Sequence, residues 1–158
     1  MESTEEVVKE IQEPILFYSN RREYGEFSNF YAAVIEVDGV EYPTTEHYFQ
    51  AQKFYPDEES MEAVRKAKSP GQAAKLGRSR KMPLRKDWEE VKNDIMYEAI
   101  KYKFTQHADL NKVLLETGDR ELIEHTKNDR YWADGGDGSG KNKLGELLMK
   151  LRDELREM

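Results

Sequence analysis

One stretch limits the possible folds more than any other: Pro43-Thr44-Thr45-Glu46-His47-Tyr48-Phe49-Gln50-Ala51-Gln52-Lys53-Phe54. Wound as a helix at about 100° per residue, it gathers Glu46, Gln50 and Lys53 into an arc of roughly 60°. Tyr48, Phe49, Ala51, Phe54 and Tyr55 stand around that arc. A polar stripe on a helix that is otherwise largely aromatic is not a solvated face. It reads as the lining of a pocket, because charge there is costly unless it has a partner or a task.

The remaining composition narrows the class. A chain of 158 residues favours one domain with a real core. Aromatic residues make up 11%, which is too many for a disordered chain. No apolar run approaches a membrane span, and the N-terminus lacks a signal peptide's apolar core. Cysteine is absent, which excludes disulfides, a thiol nucleophile and thiolate metal sites, and fits a cytoplasmic protein. The net charge of −7 argues against bulk affinity for nucleic acid or anionic membrane. Charge is uneven, however. Residues Ala63 to Lys86 hold nine Lys and Arg and no acid, either a solvated basic face or an edge that reads phosphate.

Along the chain, residues 1–13 form an acidic extension, frayed or briefly helical, and residues 14–158 a single domain. Ile15 to Tyr18 reads as a short buried strand, and Tyr24 to Tyr31 as an aromatic loop. Ala33 to Val37 and Val40 to Tyr42 flank Asp38-Gly39, a strong hairpin signal. Thr44 or Thr45 caps the next helix. Further helices are expected over Glu58 to Lys68, after Ser69-Pro70 up to Gly77, over Asp87 to His107, from a cap at Asp109 to Leu115, and over Asn142 to Arg156. The last turns Leu144, Leu147, Leu148 and Leu151 inward, and Leu122 to His125 is a strand or extended edge. The fold class is α+β, helix-rich, with a small antiparallel hairpin or sheet.

Two constellations could carry chemistry. Glu46 and Lys53 lie about 10 Å apart along a helix axis, within reach of one ligand. The carboxylate suits a developing oxocarbenium ion or an activated water; the amine suits phosphate, or attack on a ring-opened sugar. A structural ion pair would use the same residues. The second constellation is Gly135-Gly136-Asp137-Gly138-Ser139-Gly140-Lys141-Asn142. It approaches a phosphate loop, but Asn142 lacks the hydroxyl that binds magnesium and no apolar strand precedes it. As a ligand wall, its glycine amides and the following helix N-terminus could meet an anion. Trp132 could stack on a base, Asp134 could bind hydroxyls or act as a second carboxylate, and Asn29 could read a base or ribose edge. His47, His107 and His125 show no metal spacing and read as structural, so no metal and no cofactor are expected.

Together the motifs resemble the NADAR (YbiA-like) family. The resemblance is carried by Tyr24-Gly25-Glu26-Phe27-Ser28-Asn29-Phe30, by Tyr42 to Lys53, by Ser69-Pro70, Leu76-Gly77-Arg78 and Leu84-Arg85-Lys86-Asp87-Trp88. Lys103-Phe104, Tyr131-Trp132, Asp134-Gly135-Gly136, Gly140-Lys141-Asn142 and Leu144-Gly145 continue it, from about Phe17 to Arg152. The resemblance implies an N-glycosidase acting on phosphoribosyl or ADP-ribosyl compounds. These are riboflavin-pathway ribosylamino-pyrimidine phosphates, or ADP-ribose on guanine in single-stranded nucleic acid. It matches Glu46 to the family's carboxylate and Lys53 to its helix lysine, with Arg78, Trp132, Asp134 and Asn142 facing the ligand; Glu46, Lys53 and Asp134 are the expected catalytic residues. Gln50, Asn29, Gly135, Gly136 and Lys141 complete the expected substrate contacts. Ala133 stands where the family commonly has Gly, and would be strained if that position needs positive φ. The alternative from another class is a non-catalytic module that binds ADP-ribose or a nucleotide.

Overall fold

The computed structural model describes residues 13–158. The acidic extension expected over residues 1–13 therefore lies outside the described residues, Glu13 apart. Among the described residues, six helices and two two-stranded sheets give an α+β fold. They form two compact units: residues 13–28 with Ala108–Met158, and Asn29–His107.

The second unit begins with the expected hairpin. β2 (Ile35–Val37) pairs antiparallel with β3 (Val40–Tyr42), in register Ile35 to Tyr42 and Val37 to Val40. Asp38 and Gly39 make the turn with φ of 52° and 80°, the positive values that a tight hairpin requires. The outer edge of β2 is closed by one side chain. The Gln106 amide accepts from Glu36 N–H at 2.8 Å and donates to Glu36 C=O at 2.7 Å.

α1 (Thr45–Gln52) follows, with Thr44 as N-cap: its hydroxyl accepts from His47 N–H at 3.1 Å. Residues 45–51 are all buried, so both polar and apolar sides of this helix are covered. α2 (Glu58–Arg65), α3 (Pro70–Gly77) and α4 (Trp88–Gln106) pack on α1. Asp57 caps α2 and Ser69 caps α3, with Pro70 in the first helical position. α2 ends three residues before the expected Lys68. The break frees Ala67 C=O, which bonds His47 Nε2 at 3.0 Å, while His47 Nδ1 meets the Thr44 hydroxyl at 2.8 Å. Burial lowers the His47 pKa below its ordinary value.

In the first unit β1 (Ile15–Phe17) pairs parallel with β4 (Leu122–Glu124), a partnership of distant segments that no local pattern announces. Only alternate residues of β1 are covered: Ile15 and Phe17 are buried, whereas Leu16 and Tyr18 are exposed. The short buried strand expected over Ile15 to Tyr18 is a strand over Ile15–Phe17 with one covered face. α5 (Ala108–Glu116) starts before Asp109, which sits in its first turn rather than at a cap, because His107 already takes the extended conformation that ends α4. α6 (Lys143–Arg156) buries Leu144, Leu148, Leu151 and Leu155 and leaves Leu147 half-buried. Buried Arg152 donates to Thr117 Oγ1 at 2.9 Å and Arg120 C=O at 2.7 Å, tying α6 to the connection between α5 and β4. α6 lies very close to β4: a Cβ on Gly145 would stand 2.1 Å from Leu122 O. Among the described residues, no helix is long and apolar enough to cross a membrane.

Gly145→Ala is expected to destabilise the fold by about 1–3 kcal/mol, because backbone must move. Gly71→Ala, whose Cβ would meet nothing nearer than Ser69 Oγ at 3.8 Å, is the control and is expected to be neutral or slightly stabilising. Urea denaturation checks both. His47 supplies a pH test. Its folded state prefers the neutral ring, so its contribution is complete above the ordinary histidine range and is lost as pH falls through that range toward the lowered folded value. Melting temperature should therefore fall on acidification from neutrality, with a shallower slope in His47→Gln.

Candidate functional site

In the unit Asn29–His107, the N-terminus of α1 is gripped by Asn29. Its carbonyl accepts from Glu46 N–H at 3.2 Å, and its side-chain oxygen accepts from the Thr45 hydroxyl at 2.9 Å. Its amide nitrogen donates to Met96 Sδ at 3.3 Å. Glu46 is buried one residue into the helix. One turn later, Gln50 Nε2 donates to Glu46 Oε1 at 2.7 Å, and Gln50 Oε1 has no hydrogen-bond partner among the described residues. A buried carboxylate needs such a donor, since burial otherwise drives it toward its neutral form.

Lys53 stands just past the end of α1, half-buried. Its ammonium lies 5.7 Å from the centre of the Trp88 ring and 6.0 Å from that of Phe49, and donates to Gly77 C=O at 3.4 Å. Burial lowers its pKa below the ordinary lysine value; the Glu46 carboxylate opposes this, and the Arg78 guanidinium adds to it. Carboxylate and amine therefore feel each other's charge. Arg78 follows α3 and is exposed. Arg85 secures the end of α1: its N–H donates to Lys53 C=O at 2.8 Å, and its guanidinium to Gln52 C=O at 3.4 Å while pairing with Asp87 at 2.6 Å. These contacts satisfy carbonyls that a helix end leaves open.

In the other unit, two aspartates shape the glycine-rich loop. Asp129 Oδ1 accepts from Tyr131 N–H at 2.9 Å and Trp132 N–H at 2.8 Å. Asp134 is buried; its Oδ1 accepts from Gly136 N–H at 2.8 Å, and its Oδ2 lies 2.7 Å from His125 Nδ1. Gly135, Gly136 and Gly138 all have positive φ. Gly135 N–H goes to Asp129 C=O. The amides of Asn142, Lys143 and Leu144 go to the carbonyls of Ala133, Tyr131 and Trp132. The expectation of loop amides and a helix N-terminus open to an anion thus differs from what is seen: these donors are already engaged within the loop. The Asn142 side chain bonds β4 at both ends, accepting from Glu124 N–H and donating to Leu122 C=O, each at 2.9 Å. Ala133 is buried, and positive φ among non-glycine described residues occurs only at Tyr24, Asp38 and Asn142, so the strain considered for Ala133 does not arise.

Of the residues singled out in the sequence, Glu46, Gln50, Lys53 and Arg78 cluster along one side of α1 and the end of α3, with Asn29 at the helix start. Trp132, Asp134, Gly135, Gly136, Lys141 and Asn142 belong to the loop, where Trp132 is half-buried and Lys141 is exposed with its ammonium 5.5 Å from the centre of the Tyr131 ring. Sequence reasoning missed three contributors: Trp88 beside the Lys53 amine, Arg85 at the helix end, and His125 against Asp134. The first two lie in the segment Leu84 to Trp88, whose basic-acidic-aromatic order was a usable signal. His125 had none, because its partner comes from a loop fold. Among the described residues, no three His, Asp or Glu converge as a metal cage.

The sequence profile of the NADAR domain matches residues 16–156. N-glycosidase YbiA of Escherichia coli (strain K12) is 56% identical over 141 residues, covering 89% of this chain and 88% of that protein. The riboflavin biosynthesis protein VVA0006 of Vibrio vulnificus is 42% identical over 147 residues, covering 93% of this chain and 40% of that protein. The NMR structure of the E. coli protein YbiA is similar with a TM-score of 0.84 and 54% identity, over 92% of this chain and 87% of that one. With the profile spanning most of its length and an N-glycosidase more than half identical to it, the chain belongs to the NADAR domain family and is an N-glycosidase.

Proposed function

We propose that the chain hydrolyses the N–C1′ bond of phosphorylated ribosylamines, with Glu46 and Lys53 as the reacting pair. The observation that carries this reading is the seat of Lys53: a half-buried amine against the Trp88 and Phe49 rings, about two turns along the same side of α1 from the buried Glu46 carboxylate. An exocyclic ribosylamine opens to an imine. The neutral amine of Lys53 adds to C1′, so that a C1′–Nζ bond forms. Glu46 passes a proton to the leaving nitrogen, and the C1′–N bond to the base breaks. Water then adds to the new imine, the sugar leaves as its aldehyde, and Lys53 is restored. In the simpler route Glu46 stabilises an oxocarbenium ion and charged Lys53 holds a hydroxyl or phosphate.

Arg78, exposed and close enough to bear on Lys53, is assigned to substrate phosphate. The glycine-rich loop is read by itself, with Trp132 as a surface for stacking a base and Lys141 as a contact for an anion. Asp134 and Asn142 are assigned to holding the loop's shape, since their polar atoms are engaged within it. Riboflavin-pathway ribosylamino-pyrimidine phosphates are the first candidates, a choice supported by the name of the Vibrio relative. ADP-ribose on guanine in a short single strand is a second reading. It is favoured by Lys75, Arg78, Arg80, Lys81 and Lys86, all exposed in a segment without acids.

Glu46→Gln is expected to lower turnover by about 10²-fold or more while binding largely persists, as read by product mass spectrometry and equilibrium titration. An unchanged rate would remove Glu46 from the chemistry. Borohydride added during turnover should leave a reduced sugar adduct on Lys53 if the imine route operates. In that route, activity rises with pH through the lowered Lys53 pKa. If charged Lys53 only holds phosphate, activity falls through the same range and the protein stays unmodified.

A further inference from the structure

Gly77 ends α3, and its backbone does not call for glycine, because its φ is outside the left-handed region. Its surroundings do. A Cβ there would stand 1.8 Å from Gln50 Oε1 and 2.6 Å from Gln50 Cδ. An exposed glutamine would simply swing aside. Gln50 is only 7% exposed, and its Nε2 is bonded to Glu46 Oε1 at 2.7 Å. Its Oε1 meanwhile lacks a partner among the described residues, a cost that a buried amide bears when its other end is needed where it is. The same Gly77 receives the Lys53 ammonium on its carbonyl at 3.4 Å. One residue without a side chain thus meets one reacting group and the hydrogen-bond partner of the other.

We propose that Gln50, seated against Gly77, is a positioning residue that fixes the direction of the Glu46 carboxylate and keeps it ionised before substrate binds. The inference rests on the reading of Glu46 as the reaction's carboxylate. Burial favours the neutral acid, whereas an N–H donated to the carboxylate favours the charged form. Turned end for end, the same amide accepts from a protonated Glu46, so the pair stays bonded while a proton comes and goes. Any side chain at residue 77 pushes this amide off the carboxylate, even though residue 77 never touches Glu46 through a side chain of its own.

The test follows the Glu46 carboxyl directly, by carbon NMR titration of the unliganded protein. In Gln50→Met its midpoint should rise by about one pH unit, and the acidic limb of kcat/KM should rise with it. Turnover should fall about tenfold with KM little changed. Should Gln50→Met fail to fold, Gln50→Asn, which draws the amide back by one methylene, serves instead. Gly77→Ala should lower turnover in the native background and cost little more in a Gln50→Ala background, where the amide it would displace is gone. An unmoved Glu46 midpoint, or an equal cost of Gly77→Ala in both backgrounds, overturns the proposal. If Glu46→Gln keeps full activity while the midpoint still moves, the catalytic reading falls and the positioning role stands.

Discussion

A hydrogen bond from Gln50 to Glu46 lies at the centre of the proposed reactive unit. A carboxylate inside a helix that is covered on nearly every side is costly, and a donated N–H offsets part of that cost. With the amide in place, the buried acid stands about two turns before a lysine whose own burial loosens its proton. Neither group is tuned alone. The carboxylate restrains the loss of the lysine proton, and burial promotes it. An acid and an amine whose charges reach one another are what cleavage of a ribosyl–nitrogen bond asks for.

The surrounding elements serve to hold that helix still. Asn29 and Thr44 fasten its start, Arg85 fastens its end, and His47 ties it to the carbonyl released where α2 stops. Most of these contacts join side chains to backbone, so each removes an open donor or acceptor and fixes a direction. The glycine-rich loop of the other unit is built on the same logic. Its aspartates and Asn142 use their polar atoms on the loop and on β4, which makes it a shaped surface rather than a row of free amides.

Much of this was legible in the residues. The stripe Glu46, Gln50, Lys53 was readable because helical spacing alone brings those positions together, and the hairpin because Asp38-Gly39 admits positive φ. Caps at Thr44 and Ser69 followed from local chemistry. What stayed hidden depends on distant partners. The parallel pairing of β1 with β4 joins segments more than a hundred residues apart. Gly77 looked like a helix stop, because a glycine required by a close approach is written the same way as one required by a turn. The engaged amides of the loop could not be foreseen either, since composition shows donors but not their partners.

The most direct measurement is the titration of the Lys53 side chain by NMR, in the native protein and in Glu46→Gln. The account predicts a midpoint below the ordinary lysine range that falls further once the Glu46 charge is removed. A midpoint at the ordinary lysine value, unmoved by Glu46→Gln, would contradict it.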